Sequence, residues 1–270
     1  MVLTDSHAHL ALAAEELGHE ALAAVLEAYA RDSALTGALL VDIGVDPGDL
    51  GPRLAALGPG EAGLPPFLRV SAGIWPSARN LASSEASLAG LMASIEEAES
   101  RGIRVAAIGE GGLDYHYDEG PKEAQARLFE GLLGLASSLS LPVIVHSREA
   151  AADTLAAIER TRPDPPALIH CFGYGADEAR AFLGLGCYIS FAGNLTYKNS
   201  DSLREALALV PDDRLLLETD SPYMNPMPRR GRPSSPLDVE RTYTLAAELR
   251  GVAVAELAET VSLNARLLFG

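Results

Sequence analysis

The chain is poor in cysteine, lysine and tryptophan and has no long apolar run, and each shortage removes a class of protein. Two cysteines in 270 residues, Cys171 and Cys187, exclude a disulfide-stapled scaffold. They also lack metal-site spacing, so both are expected as reduced thiols in a core. No eighteen-residue apolar stretch occurs, and Asp5, His7, Glu15 and Glu16 interrupt the segment where a leader's apolar part would stand. A cytoplasmic protein is therefore expected, with no membrane association and no obligatory protein partner. Positive charge is short as well, since 21 Lys and Arg against 37 Asp and Glu leave a net charge of -16. A protein that coats nucleic acid by neutralising phosphates needs the opposite balance. Catalysis on nucleic acid survives the argument, because divalent ions and a few arginines can reverse the field inside one cleft. Lysine occurs only at 122 and 198, so nearly every cation is a guanidinium, the shape that suits phosphate.

What is present is a large apolar fraction, 48%, arranged as strand-like runs separated by helical ones. The runs are Val2–His7, Ala38–Ile43, Phe67–Ile74, Arg104–Gly109, Pro142–His146, Ala167–His170, Cys187–Phe191 and Leu215–Thr219. Most lack polar alternation, as strands covered on both faces should. Amphipathic or Ala/Leu-rich segments lie between them, for example Glu85–Arg101, Lys122–Ser138 and Arg148–Arg160, and two more follow the last strand. Asp177 and Asp201 are placed to cap helices and Gly251 to end one. Gly58-Pro59-Gly60 reads as a turn. Eight strands in alternation predict an α/β fold, a single (β/α)8 TIM barrel over residues 1–270. A doubly wound open sheet is the competitor, but no Gly-x-Gly-x-x-Gly turn follows the first strand.

Candidate ligands stand where those strands end. His7 and His9 are two residues apart, on one face of a strand, with Cα atoms roughly 6.6 Å apart. Glu110 emerges between glycines in Gly109-Glu110-Gly111-Gly112, His146 and His170 each follow an apolar run, and Asp220 opens a Pro-rich loop. Any one of these is more simply a hydrogen-bonded structural residue. Four of six histidines at strand ends, with two carboxylates, point jointly to a metal site at the C-terminal face of a barrel, where such folds carry their chemistry.

In order, Asp5-Ser6-His7-Ala8-His9-Leu10, Ile108-Gly109-Glu110-Gly111-Gly112-Leu113-Asp114-Tyr115, His146-Ser147-Arg148-Glu149-Ala150, His170-Cys171-Phe172 and Leu217-Glu218-Thr219-Asp220-Ser221-Pro222-Tyr223 make the chain resemble the TatD family of metal-dependent deoxyribonucleases. The resemblance implies two divalent cations, zinc, magnesium or manganese. His7, His9 and Asp220 would hold one, His146 and His170 the other, and Glu110 would bridge them. It further implies hydrolysis of a DNA or nucleotide phosphodiester by an activated water, with Asp220 orienting that water or taking its proton. Asp114 and Glu218 are candidates to receive imidazole N–H bonds, or are ordinary loop caps. Arg148 is placed to meet a phosphate or else to form a salt bridge.

Two positions depart from the family pattern. Its Gly-x-His-Pro is here Gly73-Ile74-Trp75-Pro76, where Trp75 either stacks on a base or caps the barrel mouth. Its Arg-Gly-Lys-x-Asn-x-Pro is here Arg230-Gly231-Arg232-Pro233-Ser234-Ser235-Pro236, in a long loop whose Arg230 is a second phosphate-binding candidate beside the alternative of a solvated basic loop. Hydrolysis of a small amide, ester, lactone or phosphoester is the alternative activity. A degenerate barrel that only binds is the non-enzymatic one.

Overall fold

The computed structural model describes residues 2–58, 63–117 and 119–270. Eight parallel strands follow one another around one sheet in chain order. They are β1 (Asp5–Ala8), β2 (Leu40–Asp42), β3 (Leu68–Ile74), β4 (Ala107–Asp114), β5 (Val143–Arg148), β6 (Leu168–Ile169), β7 (Tyr188–Phe191) and β8 (Leu215–Leu217). The last strand returns to the first: Ala8 bridges Ser221, His9 N donates to Ser221 O at 2.8 Å, and Asp220 N donates to His7 O at 2.9 Å. The ring so formed is the expected (β/α)8 barrel, and its closure sets Asp220 beside His7.

Helices fill the outside: α1 (Leu10–Leu17), α2 (His19–Thr36), α3 (Leu50–Leu57), α4 (Ala78–Ala82), α5 (Ser84–Ser100), α6 (Lys122–Leu139), α7 (Ala151–Thr161), α8 (Ala176–Gly184), α9 (Asp201–Leu209), α10 (Val239–Arg250) and α11 (Val254–Phe269). With helices on one side and barrel interior on the other, all eight residues of β4 are buried. No helix among the described residues is long and apolar enough to cross a membrane. Both cysteines are free thiols, Cys187 buried and Cys171 partly so.

Several local expectations shift. Asp177 and Asp201 sit in the first turns of α8 and α9, paired with Arg180 and Arg204, and neither caps its helix. In α8 the capping contact is Glu178 Oε2, which accepts from Gly175 N at 3.1 Å. Gly251 does end α10, at φ 67°. Arg148 belongs to β5 and not to the helix after it, because the β4 pairing carries that strand to an Asp114↔Arg148 register. Beyond Gly58, the turn expected at Gly58-Pro59-Gly60 lies outside the described residues.

β4 continues five residues past its expected end, and its glycines are the reason. Gly109 and Gly112 have φ of 129° and 154°, and a Cβ on Gly112 would come 1.9 Å from His146 O. These positions therefore admit the β5 backbone. Barrel closure is tied from inside by Asp5, whose carboxylate accepts from Thr219 N at 2.9 Å and Thr219 Oγ1 at 2.6 Å. Burial pushes the Asp5 carboxyl up to about 8, against the pull of those Thr219 bonds.

Candidate metal centre

Closure brings six side chains from five strand ends together. Around His7 Nε2 and His9 Nε2, which are 3.3 Å apart, stand Glu110 Oε2 at 3.2 and 3.4 Å and Asp220 Oδ1 at 3.7 and 3.4 Å. A tetrahedron about one ion with bonds of about 2.0–2.1 Å has edges of about 3.4 Å. These five separations, 3.2 to 3.7 Å, are close to that edge length.

A second group shares Glu110. His146 Nδ1 and His170 Nε2 are 3.3 Å apart, and Glu110 Oε1 lies 2.7 and 3.0 Å from them. One carboxylate, 4% exposed, therefore turns one oxygen to each group. The two groups also touch directly, as the His7 and His170 rings stack with centroids 3.8 Å apart and planes 8° from parallel.

Behind the second group stand two further carboxylates. Asp114 Oδ2 is 2.8 Å from His146 Nε2, and Glu218 Oε1 is 3.3 Å from His170 Nδ1 while accepting from Cys171 N at 2.9 Å. Each fixes which imidazole nitrogen is turned inward. The outward nitrogens of His7 and His9, both Nδ1, are buried without a hydrogen-bond partner. Asp114→Asn is accordingly expected to weaken metal binding by roughly 10–100-fold while leaving the fold intact, read by titration with a competing chelator.

The electrostatics fit the geometry. Burial raises the Glu110 carboxyl, but His170, His146 and His7 outweigh it and hold Glu110 well below the usual carboxylate range. Asp220 behaves alike, its burial outweighed by His9, His7 and His170. Burial lowers His170, yet Glu110 and Glu218 beside it leave it well above the ordinary imidazole value. His9 and His146 are raised as well, their burial outweighed by carboxylate neighbours, whereas burial and then His170 lower His7, so the cluster sets ionised carboxylates against imidazoles of unequal basicity. Cys171 is the opposite case. Burial first, then the carboxylates of Asp220, Glu218 and Glu110, pushes its thiol well above its usual value, so it is no thiolate nucleophile.

Backbone strain gathers here too. Of six non-glycine residues with positive φ among those described, Glu149, Cys171, Asp220 and Met224 all line the cleft above the cluster. That cleft has a volume of about 870 Å³. Trp75 and Arg148 line it, as expected for substrate contacts. Arg230 does not line it, being exposed with its guanidinium 4.4 Å over the Tyr197 ring. Its loop is held folded by Ser234, which donates from N to Pro222 O at 2.8 Å and from Oγ to Tyr223 O. Tyr117, Tyr174, Asn194 and Tyr223 also form the wall; Tyr223 closes the strand-eight motif, while no sequence signal marks the other three, which follow three different strands.

Known proteins share this architecture. A family model described as TatD related DNase matches residues 4–270. The uncharacterized metal-dependent hydrolase YcfH of Escherichia coli strain K12 is 44% identical over 166 residues, 61% of this chain and 63% of that protein, so the match spans under two thirds of the relative's length. The 3′-5′ ssDNA/RNA exonuclease TatD of Pantoea vagans strain C9-1 is 36% identical over 246 residues, 89% of this chain and 90% of that one. The crystal structure of YJJV, a TatD homologue from Escherichia coli K12, superposes with a TM-score of 0.81 at 27% identity, covering 99% of this chain and 97% of that one. With the family match running along the barrel from its first strand to its last helix, the chain belongs to the TatD family.

Proposed function

We propose that the chain, acting as one unit over residues 1–270, is a metal-dependent hydrolase of phosphodiesters whose substrate is DNA, entered as a single strand or an end. The observation that carries this reading is the split of Glu110, with Oε2 among His7, His9 and Asp220 and Oε1 between His146 and His170. Divalent cations held by these six residues would supply Lewis acidity and lower the pKa of a water at the cluster. Nitrogen-rich ligation suits zinc, while the two carboxylates leave magnesium and manganese as alternatives.

The chain's own groups perform the rest. Asp220 is held at the barrel mouth by its N–H to His7 O and by Tyr223 N, which donates to Asp220 O at 2.8 Å. Kept ionised beside His9, its carboxylate takes the proton of the attacking water. Arg148 lines the cleft and forms no ion pair among the described residues, so its guanidinium is available to a phosphate. Among the described residues it is the one Arg or Lys in that lining, in a strongly acidic molecule. A relative 36% identical that is named as an exonuclease on ssDNA and RNA supports the same substrate class.

The absence of the family's histidine at position 75, and not the indole that stands there, favours the second reading, a small ester or phosphoester as substrate. One assay separates the two: purified protein with Mg²⁺, Mn²⁺ or Zn²⁺ against labelled single-stranded DNA and small chromogenic esters. Metal-dependent shortening of DNA is expected. Turnover of a small ester with DNA left whole under every ion would transfer the assignment to the second reading.

A further inference from the structure

Where the family pattern has an imidazole, this chain sets an indole on a rigid mount. Trp75 follows β3 directly; its N–H donates to Val45 O at 2.8 Å, and its carbonyl accepts from Ser77 N at 2.8 Å and Asn80 Nδ2 at 3.0 Å. The ring stands edge-on to two neighbours, His146 at a centroid distance of 6.1 Å and Tyr117 at 6.3 Å. Tyr117 is 51% exposed, and its N–H donates at 2.8 Å to Asp114 Oδ1, on the carboxylate that also bonds His146. Over the Tyr117 ring, 4.9 Å away, lies the guanidinium of Arg148. An indole, a phenol and a cation thus adjoin the donor cluster, in the same cleft and braced against the same residues.

Planar faces of this kind bind bases through stacking, which needs no particular sequence, and a cation beside them meets the attached phosphate. A histidine at position 75 would offer a smaller aromatic face together with a hydrogen-bonding group for phosphate. Resting on the phosphodiester reading above, we propose that Trp75 and Tyr117 form a nucleobase subsite within one nucleotide's reach of the cluster, with Arg148 at the adjoining phosphate. A base still paired and stacked in a duplex cannot present its face to such a wall. The subsite therefore selects unpaired strand ends, and makes binding depend on the base as well as the phosphate.

Because Trp75 is the only tryptophan of the chain, its emission reports on the subsite directly. The experiment titrates metal-loaded protein with thymidine 5′-monophosphate, deoxyadenosine 5′-monophosphate and 2-deoxyribose 5-phosphate, following emission and, in parallel, heat of binding. Both nucleotides are expected to quench Trp75 saturably. The sugar phosphate is expected to bind about tenfold more weakly, without quenching, and at excess to reverse the quench. Tyr117→Ala should weaken nucleotide binding about tenfold, and Trp75→Ala should bring the affinities for nucleotide and sugar phosphate close together. Nucleotide binding by calorimetry with emission unchanged, or equal affinity for sugar phosphate and nucleotide in the unaltered protein, overturns the base subsite and leaves the phosphodiester reading standing. Failure to bind any of the three, alongside turnover of a small ester, overturns both.

Discussion

Replacing Glu110 with glutamine is expected to cut hydrolysis of any substrate by on the order of a thousandfold or more, and to remove metal from the whole cluster and not from one half. The reason is the double use of one buried side chain. Its two oxygens face different imidazole pairs, at 3.2 and 3.4 Å on one side and 2.7 and 3.0 Å on the other. An amide removes the charge between both pairs and turns an NH2 group toward nitrogens on one side. A thousandfold loss corresponds to about 4 kcal/mol of transition-state stabilisation, within what the Lewis acidity of a lost ion supplies. Because glutamine matches glutamate in volume, the barrel should still fold, so circular dichroism separates loss of metal from loss of structure. Metal content by elemental analysis and turnover of single-stranded DNA are the readings. Retention of full metal content with activity within tenfold of the parent protein would contradict the bridging role.

Asp220→Asn is expected to act differently. Its carboxylate stands 3.4 Å from His9 Nε2 and 3.7 Å from His7 Nε2, at a residue held in the left-handed region with φ 56°. Asparagine tolerates that backbone and keeps an oxygen for the first metal group, but it cannot accept a proton. Turnover should fall by roughly 10²–10⁴, the usual contribution of a positioned general base, with KM for DNA changed only slightly. Steady-state kinetics give the split. A variant with unchanged turnover and a raised KM would make Asp220 a binding residue and move the base elsewhere.

The six candidate ligands are legible in the sequence because each stands at or just after the end of an apolar run. An apolar run ends, the next side chain is polar, and in a parallel barrel every such end opens onto one face. The pair His7 and His9 is legible for the same reason: two residues along a strand share a face, and their Nε2 atoms indeed meet at 3.3 Å. The partners of these ligands are not legible to the same degree. Asp114 reaches His146 only because β4 runs on past Glu110, and that continuation depends on glycines admitting a neighbouring backbone. Asp5 reads from sequence as part of a motif, whereas its bonds to Thr219 span 214 positions. Helix α1 starts at Leu10 with no side-chain cap at His9, so no start signal precedes it. Arg230 reads as a phosphate ligand by charge alone, and charge does not reveal that its side chain lies over Tyr197. The cleft walls are the least legible part, since loops that meet in space carry no shared periodicity.

The proposed centre gathers six side chains from five strands and is divided by a single carboxylate. Anomalous scattering from crystals grown with zinc or manganese tests it most directly. The expected map has two peaks, one among His7, His9 and Asp220 and one between His146 and His170, each in contact with its own oxygen of Glu110. A single peak, or two peaks that Glu110 does not touch, would contradict it.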